Sequence, residues 1–296
     1  MEERRIVALG DIHGNIEAFR QLVVGLGIVS PSLRWVAHNT TLVQIGDICD
    51  RGTESRSIYR MIAEWQRQAP LVGSEVHLLL GNHEVMEMFG YDRDAGLEEI
   101  QGYAEQADSS GYQEHRAAFA PGGWLHDWLL EQRAMVQVGS IVFGHGDLPV
   151  SFQDRKVGDI HEEIMADIRE HAGKPITDPD LLPDSLFSEN RSLIWSRESR
   201  DNEHYAYALE HFLTQNEASL YVCGHTPSVE GKFMLKCSGR YLCIDTAMGF
   251  EERGIGRRTA LVIEKGGVWE WDFRSERIDR RKLPIRLDRR APGRSY

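Results

Sequence analysis

A chain of 296 residues, 41% of them hydrophobic, is long enough to bury one large core. Its formal charge of −12 argues against a partner held through a broad phosphate-binding surface, so no nucleic acid is expected. No apolar run reaches the length of a membrane span, and Met1-Glu2-Glu3-Arg4-Arg5 leads into an apolar strand with no secretory leader, so a cytoplasmic location is expected.

The first third alternates strands and helices. Residues 4–10 read as a strand, and 15–29 as an amphipathic helix with Ile16, Phe19, Val23 and Leu26 on one face. A strand over 41–48, a helix over 54–68 carrying Ile58, Ile62 and Trp65, and a strand over 75–80 follow. The polar, glycine-containing stretch 91–120 is predicted to be an insertion over the site. Residues 124–130 predict a short helix, and 133–144 a hairpin turning near Gly139-Ser140. A second insertion is expected over 151–192, with a helix at 161–171 and a loop at 175–183. Strands are predicted at 220–223, 240–245, 259–264 and 268–272, the last two turning at Gly266-Gly267. This order predicts an α/β chain built on a central β-sandwich of two mixed sheets flanked by helices.

Residues 1–273 read as a single catalytic domain and 274–296 as a basic C-terminal tail. From Arg274 onward nine basic side chains face three acidic ones, net +6, which leaves −18 on the body. The tail is expected to be solvated or docked on that body. The four cysteines lack the paired spacing of a zinc knuckle and are expected to be reduced. Cys237 and Cys243 flank a Ser238-Gly239 turn and are placed to face each other across a hairpin, and Cys49 reads as a small apolar filler.

Five segments carry the chemistry: Gly10-Asp11-Ile12-His13-Gly14, Gly46-Asp47-Ile48-Cys49-Asp50-Arg51-Gly52, Gly81-Asn82-His83-Glu84, Gly144-His145-Gly146 and Gly224-His225-Thr226. Four follow an apolar run directly, which puts a carboxylate, amide or imidazole at the C-terminal end of a strand, where open α/β sheets bind ligands. Oxygen and nitrogen donors of this kind suit Mn, Fe or Zn. Two adjacent cations need about this many ligands, with one carboxylate shared. Asp11 and His13, two apart in extended backbone, reach one cation from the same side. Asp47 is the candidate bridge, and Asn82, His145 and His225 complete the second cation's set. Arg51 offers a planar fork to a phosphate, its competing reading being an ion pair with Glu54. Asp50 reads as the orienting partner of a histidine, and His83, pointing away from Asn82's metal, as the general acid for the departing alkoxide. Asn82 can also donate its NH₂ to phosphate. Glu84 is expected to make a structural hydrogen bond within its turn. The remaining eight histidines are read as surface or core residues.

The ordered set Gly-Asp-x-His-Gly, Gly-Asp-x-x-Asp-Arg-Gly, Gly-Asn-His-Glu, His-Gly and Gly-His-Thr resembles the calcineurin-like metallophosphoesterases. Gly46–Gly52 and Gly81–Glu84 are similar to the phosphoprotein phosphatase group within it. Gly81-Asn82-His83-Glu84-Val85-Met86, Ile194-Trp195-Ser196-Arg197 and Gly224-His225-Thr226-Pro227 further resemble the Shewanella-like phosphatases. The resemblance implies the calcineurin-like sandwich and two divalent metals, manganese first with iron or zinc as alternatives. It implies the same ligand set: Asp11 and His13, a bridging Asp47, then Asn82, His145 and His225. It also implies Asp50 and His83 paired for leaving-group protonation, and Arg51 on phosphate. Arg197 is the candidate second phosphate-binding arginine, with Arg191 and Arg200 as rivals. The family's His-Gly-Gly is His145-Gly146-Asp147 here, which adds a carboxylate expected to raise cation affinity or repel anionic substrates.

The function expected is a phosphomonoesterase acting on phosphoprotein, serine/threonine or tyrosine, by in-line attack of a bridging hydroxide with no phosphoenzyme. Hydrolysis of a dinucleoside polyphosphate is the alternative enzyme reading, and a non-catalytic scaffold of the same fold the alternative outside enzymes. The expected partner is a phosphorylated protein or small phosphoester; no membrane partner is expected.

Overall fold

The computed structural model describes residues 4–174, 186, 191–228, 230–253, 255–273 and 277–287. Strands β1 (Arg5–Leu9), β2 (Thr40–Gln44) and β3 (Glu75–Leu78) run parallel, each reached through a helix, α1 (Ile16–Gly25) or α2 (Ser55–Gln68). Helices α3 (Asn82–Met88), α4 (Leu97–Gln101), α5 (Tyr112–Phe119) and α6 (Trp124–Leu129) follow, then the hairpin β4 (Met135–Val138) and β5 (Ile141–Gly144). Helices α7 (Val157–His171) and α8 (Tyr205–Gln215) precede β6 (Leu220–Cys223), β7 (Met234–Lys236), β8 (Tyr241–Cys243), β9 (Thr259–Glu264), β10 (Gly267–Asp272) and β11 (Asp279–Lys282). They form a six-stranded sheet, β11-β10-β9-β1-β2-β3, and a five-stranded sheet, β4-β5-β6-β8-β7, both mixed. The β-sandwich with flanking helices is therefore as the sequence predicts.

Alternation along β1 shows how the layers are made. Ile6 and Ala8 join the core between the sheets, while Val7 and Leu9 join the core under the helices. Burial on both faces is why this strand reads as an unbroken apolar run. Asn15 caps α1 by accepting from Ala18 N at 3.0 Å, and Phe19 of α1 stacks on Trp65 of α2 at 5.5 Å. α1 stops at Gly25 rather than near 29, because Gly27 turns left-handed (φ +68°) and Val29 bridges to Trp35.

Other differences are structural corrections. The helix in the second insertion starts at Val157, four residues before the expected 161. The strand expected over 41–48 ends at Gln44, so Asp47 sits in the following loop. Helix α8 and strands β7 and β11 were not predicted; β11 pairs antiparallel with β10, so residues 279–282 of the basic segment belong to the sheet. Cys237 does not face Cys243, whose register partners are Met234 on β7 and Cys223 on β6. All four cysteines are free. The loop expected at 175–183 and the end of the basic segment, 288–296, lie outside the described residues. Among the described residues no helix is long and apolar enough to cross a membrane.

Candidate metal centre

Six strands run parallel within their sheets, β1, β2 and β3 in one and β5, β6 and β8 in the other. The loops leaving their C-terminal ends meet at Asp47. The Asp47 carboxylate is 2% exposed and lies 3.3 Å from His145 Nε2, 3.8 Å from His13 Nε2 and 3.9 Å from His83 Nε2. Donor atoms of Asp47, His145 and His225 form one close group, and those of His13, Asp47 and His83 another. Asp47 belongs to both.

The ring tautomers are set by the backbone. His13 Nδ1 lies 2.9 Å from Cys49 O, and His145 Nδ1 lies 2.8 Å from Ile45 O. A carbonyl only accepts, so each Nδ1 carries the hydrogen and each Nε2 presents its free lone pair inward. His145 Nε2 then faces Asn82 Oδ1 at 3.1 Å, while Asn82 Nδ2 turns away to Met86 Sδ at 3.9 Å. His225 Nε2 is 3.2 Å from Trp195 O, and the His225 backbone N–H donates to Asp11 Oδ2 at 3.1 Å.

The buried charges fit a cation. Burial holds the His13 imidazole down to about 3, with Asp47 opposing, so the ring is neutral, as a ligand requires. Burial together with nearby His145 holds His225 well below its ordinary value. Burial, and then the neighbouring Asp245 and Asp47 carboxylates, push Asp11 well up. Inward-facing imidazole nitrogens, an amide oxygen and crowded carboxylates are the donor set of a hard-to-borderline metal.

Next to this group, His83 Nδ1 is 2.5 Å from Asp50 Oδ2. Arg51 donates from Nη1 to His13 Nε2 and from Nη2 to His83 Nε2, both at 2.8 Å, and its guanidinium lies 5.5 Å from the Phe250 ring. Glu84 stays out of this chemistry. Its two oxygens accept from Asp47 N, Gly81 N, Ile48 N and Tyr59 Oη at 2.7–2.9 Å, which ties the Asp47 loop to α3.

The loops are strained where the side chains converge. His13, Asp47, Asp50, Arg51 and His225 all adopt positive φ, between 45° and 66°. Left-handed backbone at a non-glycine residue costs on the order of 1–3 kcal/mol and persists only where the surroundings enforce it. Gly81 shows the enforcement: a Cβ there would fall on Asp47 Oδ1.

Two side chains differ from expectation. Asp147 does not face the centre; Oδ2 accepts from Ser199 N at 2.7 Å and Oδ1 from Tyr241 Oη at 2.5 Å, anchoring the segment around Ser196-Arg197. Asp245, at the end of β8, was not predicted. It is 3% exposed beside Asp11 and Asp47, and burial pushes it to about 6. Of the three candidate arginines, Arg197 donates to His225 O at 3.2 Å, whereas Arg191 and Arg200 are exposed.

Fold and site together define a phosphoesterase of the calcineurin type. Residues 4–229 match the calcineurin-like phosphoesterase family, and the chain belongs to it; it is a phosphatase, a hydrolase acting on phosphoric ester bonds. It is 29% identical over 249 residues to Shewanella-like protein phosphatase 1 of Plasmodium berghei (strain Anka), covering 82% of this chain and 67% of that protein. Against Shewanella-like protein phosphatase 2 of Arabidopsis thaliana it is 27% identical over 285 residues, 82% and 71% of the two chains. A cold-active protein tyrosine phosphatase superposes with a TM-score of 0.77 at 19% identity, covering 95% of this chain and 79% of the other. A protein serine/threonine phosphatase from Saccharomyces cerevisiae gives 0.62 at 16%, covering 97% and 82%. At these identities the two structures speak for the fold.

Proposed function

We propose that the protein is a two-metal phosphomonoesterase acting on phosphorylated protein. The observation that carries this is the carboxylate of Asp47 shared between two groups of inward-turned imidazoles, with the Asp50–His83 pair alongside. Asp11 and His13 would hold one cation, Asn82, His145 and His225 the other, with Asp47 common to both. Manganese suits this donor set, with iron or zinc as alternatives. Bound there, two cations supply Lewis-acid charge neutralisation and activation of a water for in-line displacement at phosphorus.

The chain's own residues do the rest. Arg51 grips the phosphate with its planar fork, and Arg197, seated on His225 O, is the second cationic group near it. Asp50 holds the His83 Nδ1–H, so Nε2 is the nitrogen that protonates the departing oxygen. The Phe250 ring beside Arg51 offers a wall for an aromatic leaving group.

The test is turnover of purified, manganese-loaded protein on phosphoserine, phosphothreonine and phosphotyrosine peptides and a dinucleoside tetraphosphate. Peptide hydrolysis that chelation abolishes and manganese restores is expected. Faster cleavage of the dinucleotide would move the reading to phosphoanhydride hydrolysis.

A further inference from the structure

Behind the His83–Asp50 pair lies a buried group of acids that the mechanism above does not use. Asp50 is fully buried, and its Oδ2 is taken by His83. Oδ1 meets no N–H or hydroxyl donor, and neither do the two oxygens of Glu87, which is 1% exposed. Yet the Asp50 and Glu87 carboxyls are hydrogen-bonded to each other, and two carboxyls make that bond only if one of them keeps its proton. Asp50, the acceptor of the His83 Nδ1–H, is the better placed to be the anion. The other titratable groups facing Glu87 are Glu99 of α4, Asp92 of the loop before it and His115 of α5, whose Nε2 is 3.7 Å from Glu87 Oε2. None offers a charge that would ionise Glu87. His115 is held down to about 4 by burial and is neutral, while Glu99 and Asp92 are acidic. Burial, with Asp50 next, pushes Glu87 up to about 10.

We propose that Glu87 is protonated and donates to Asp50 Oδ1, acting as a positioning residue that fixes and tempers the carboxylate orienting His83. Asp50 thus takes the His83 N–H on one oxygen and the Glu87 O–H on the other. The O–H lowers the electron density Asp50 offers to His83, which keeps His83 a stronger acid than a bare pair would. The inference rests on the reading of His83 as leaving-group acid.

Two variants and two readouts decide it. Glu87→Gln keeps an N–H donor to Asp50; Glu87→Leu removes it. Metal content by elemental analysis is expected to stay unchanged in both. Glu87→Leu should cut kcat by about tenfold on an alkyl phosphate such as a phosphoserine peptide, and by much less on an aryl phosphate that needs little protonation. Glu87→Gln should stay within about threefold of the wild type on both. Equal losses on the two substrates, or a Gln variant as impaired as the Leu variant, would overturn the role. Should Glu87→Leu fail to fold, infrared spectroscopy of the Gln variant still decides: the wild type at neutral pH must show a protonated-carboxyl band that Glu87→Gln lacks. The absence of any such difference refutes the proposal. If His83→Asn shows no leaving-group dependence, the reading of His83 fails and the relay with it, whereas the infrared band then reports only the location of the proton.

Discussion

Arg51 Nη1 donates to the same nitrogen, His13 Nε2, that His13 turns towards Asp47. With Nδ1 engaged by Cys49 O, that lone pair serves the guanidinium or a cation, but not both at once. Arg51 is therefore released from His13 when metal binds and becomes available to phosphate. Arg51→Ala should leave metal affinity equal or slightly higher while lowering kcat/KM on phosphopeptides by about 10²-fold, and Arg51→Lys should restore part of it. Isothermal titration with manganese beside steady-state kinetics checks both; weaker metal binding in Arg51→Ala would argue that Arg51 supports the cation site.

Asp47 carries the shared charge, and Gly81 guards its position. Asp47→Asn should reduce bound metal at both sites, because a neutral amide cannot hold two cations. Gly81→Ala should do so too without altering any ligand, since the new methyl would displace Asp47 Oδ1 and its neighbour, the Asp47 backbone N at 2.6 Å. Elemental analysis reads the outcome. Two metals per chain retained in Asp47→Asn would remove Asp47 from the bridging role.

His83→Asn separates chemistry from binding. It should keep the metals and lower turnover on alkyl phosphates by roughly 10²–10⁴, with a smaller loss on aryl phosphates. A uniform loss across leaving groups would show that His83 is not the acid. The companion variant Phe250→Ala, which removes the ring 5.5 Å from Arg51, should weaken phosphotyrosine peptides more than phosphoserine ones.

What the sequence shows and what it hides divide along local and non-local lines. Asp11, His13, Asp47, Asn82, His145 and His225 are readable because each sits in a short glycine-flanked segment after an apolar strand, and the strand order brings those segments to one place. Asp245 ends a strand in the same way but has no flanking glycine to mark it. Glu87, Glu99 and His115 come from three separate helices, so their meeting at Asp50 is a product of packing alone. Helix α8 carries a full apolar period at Tyr205, Ala208, Leu209 and Phe212 and is legible on that ground. Strand β11 is not, since Asp279-Arg280-Arg281-Lys282 shows no alternation. Its pairing is held by contacts such as Arg280 over the Trp271 ring at 3.8 Å and Arg281 on Glu270.

The buried acids also set a pH dependence of stability. Burial raises Glu99 from 4.5 to about 8 and Glu87 from 4.5 to about 10. The unfolded chain has released both protons well below neutrality while the folded chain still holds them. Folding stability is then greatest below the unfolded value and falls as pH rises, through about 8 for Glu99 and about 10 for Glu87. Each retained proton contributes a slope of at most about 1.4 kcal/mol per pH unit. Thermal melts of chelated protein between about pH 6 and 9 should show Tm falling in the wild type and flattening in a Glu87→Gln, Glu99→Gln double variant. Identical slopes in the two would mean that both carboxyls are ionised in the native state.

Asp147 provides the last test, because its position in the sequence suggests the metal while its contacts point elsewhere. Its carboxylate accepts from Ser199 N and Tyr241 Oη, its own N–H donates to Ser196 O at 2.9 Å, and Lys236 Nζ closes the same segment on Ser199 O at 3.0 Å. The segment so held carries Trp195, whose carbonyl orients His225, and Arg197, which caps the His225 carbonyl. Asp147 thus reaches the centre through a loop rather than through its charge. Asp147→Asn keeps the size of the side chain but replaces one acceptor with a donor that faces Ser199 N or Tyr241 Oη. Leaving a buried partner unsatisfied costs about 1–3 kcal/mol, so Tm should drop in apo protein. Activity should fall mainly through KM for phosphopeptides as Arg197 loses its footing, with the metal count unchanged. A variant that binds manganese more weakly but melts like the wild type would instead put the Asp147 charge at the metal centre.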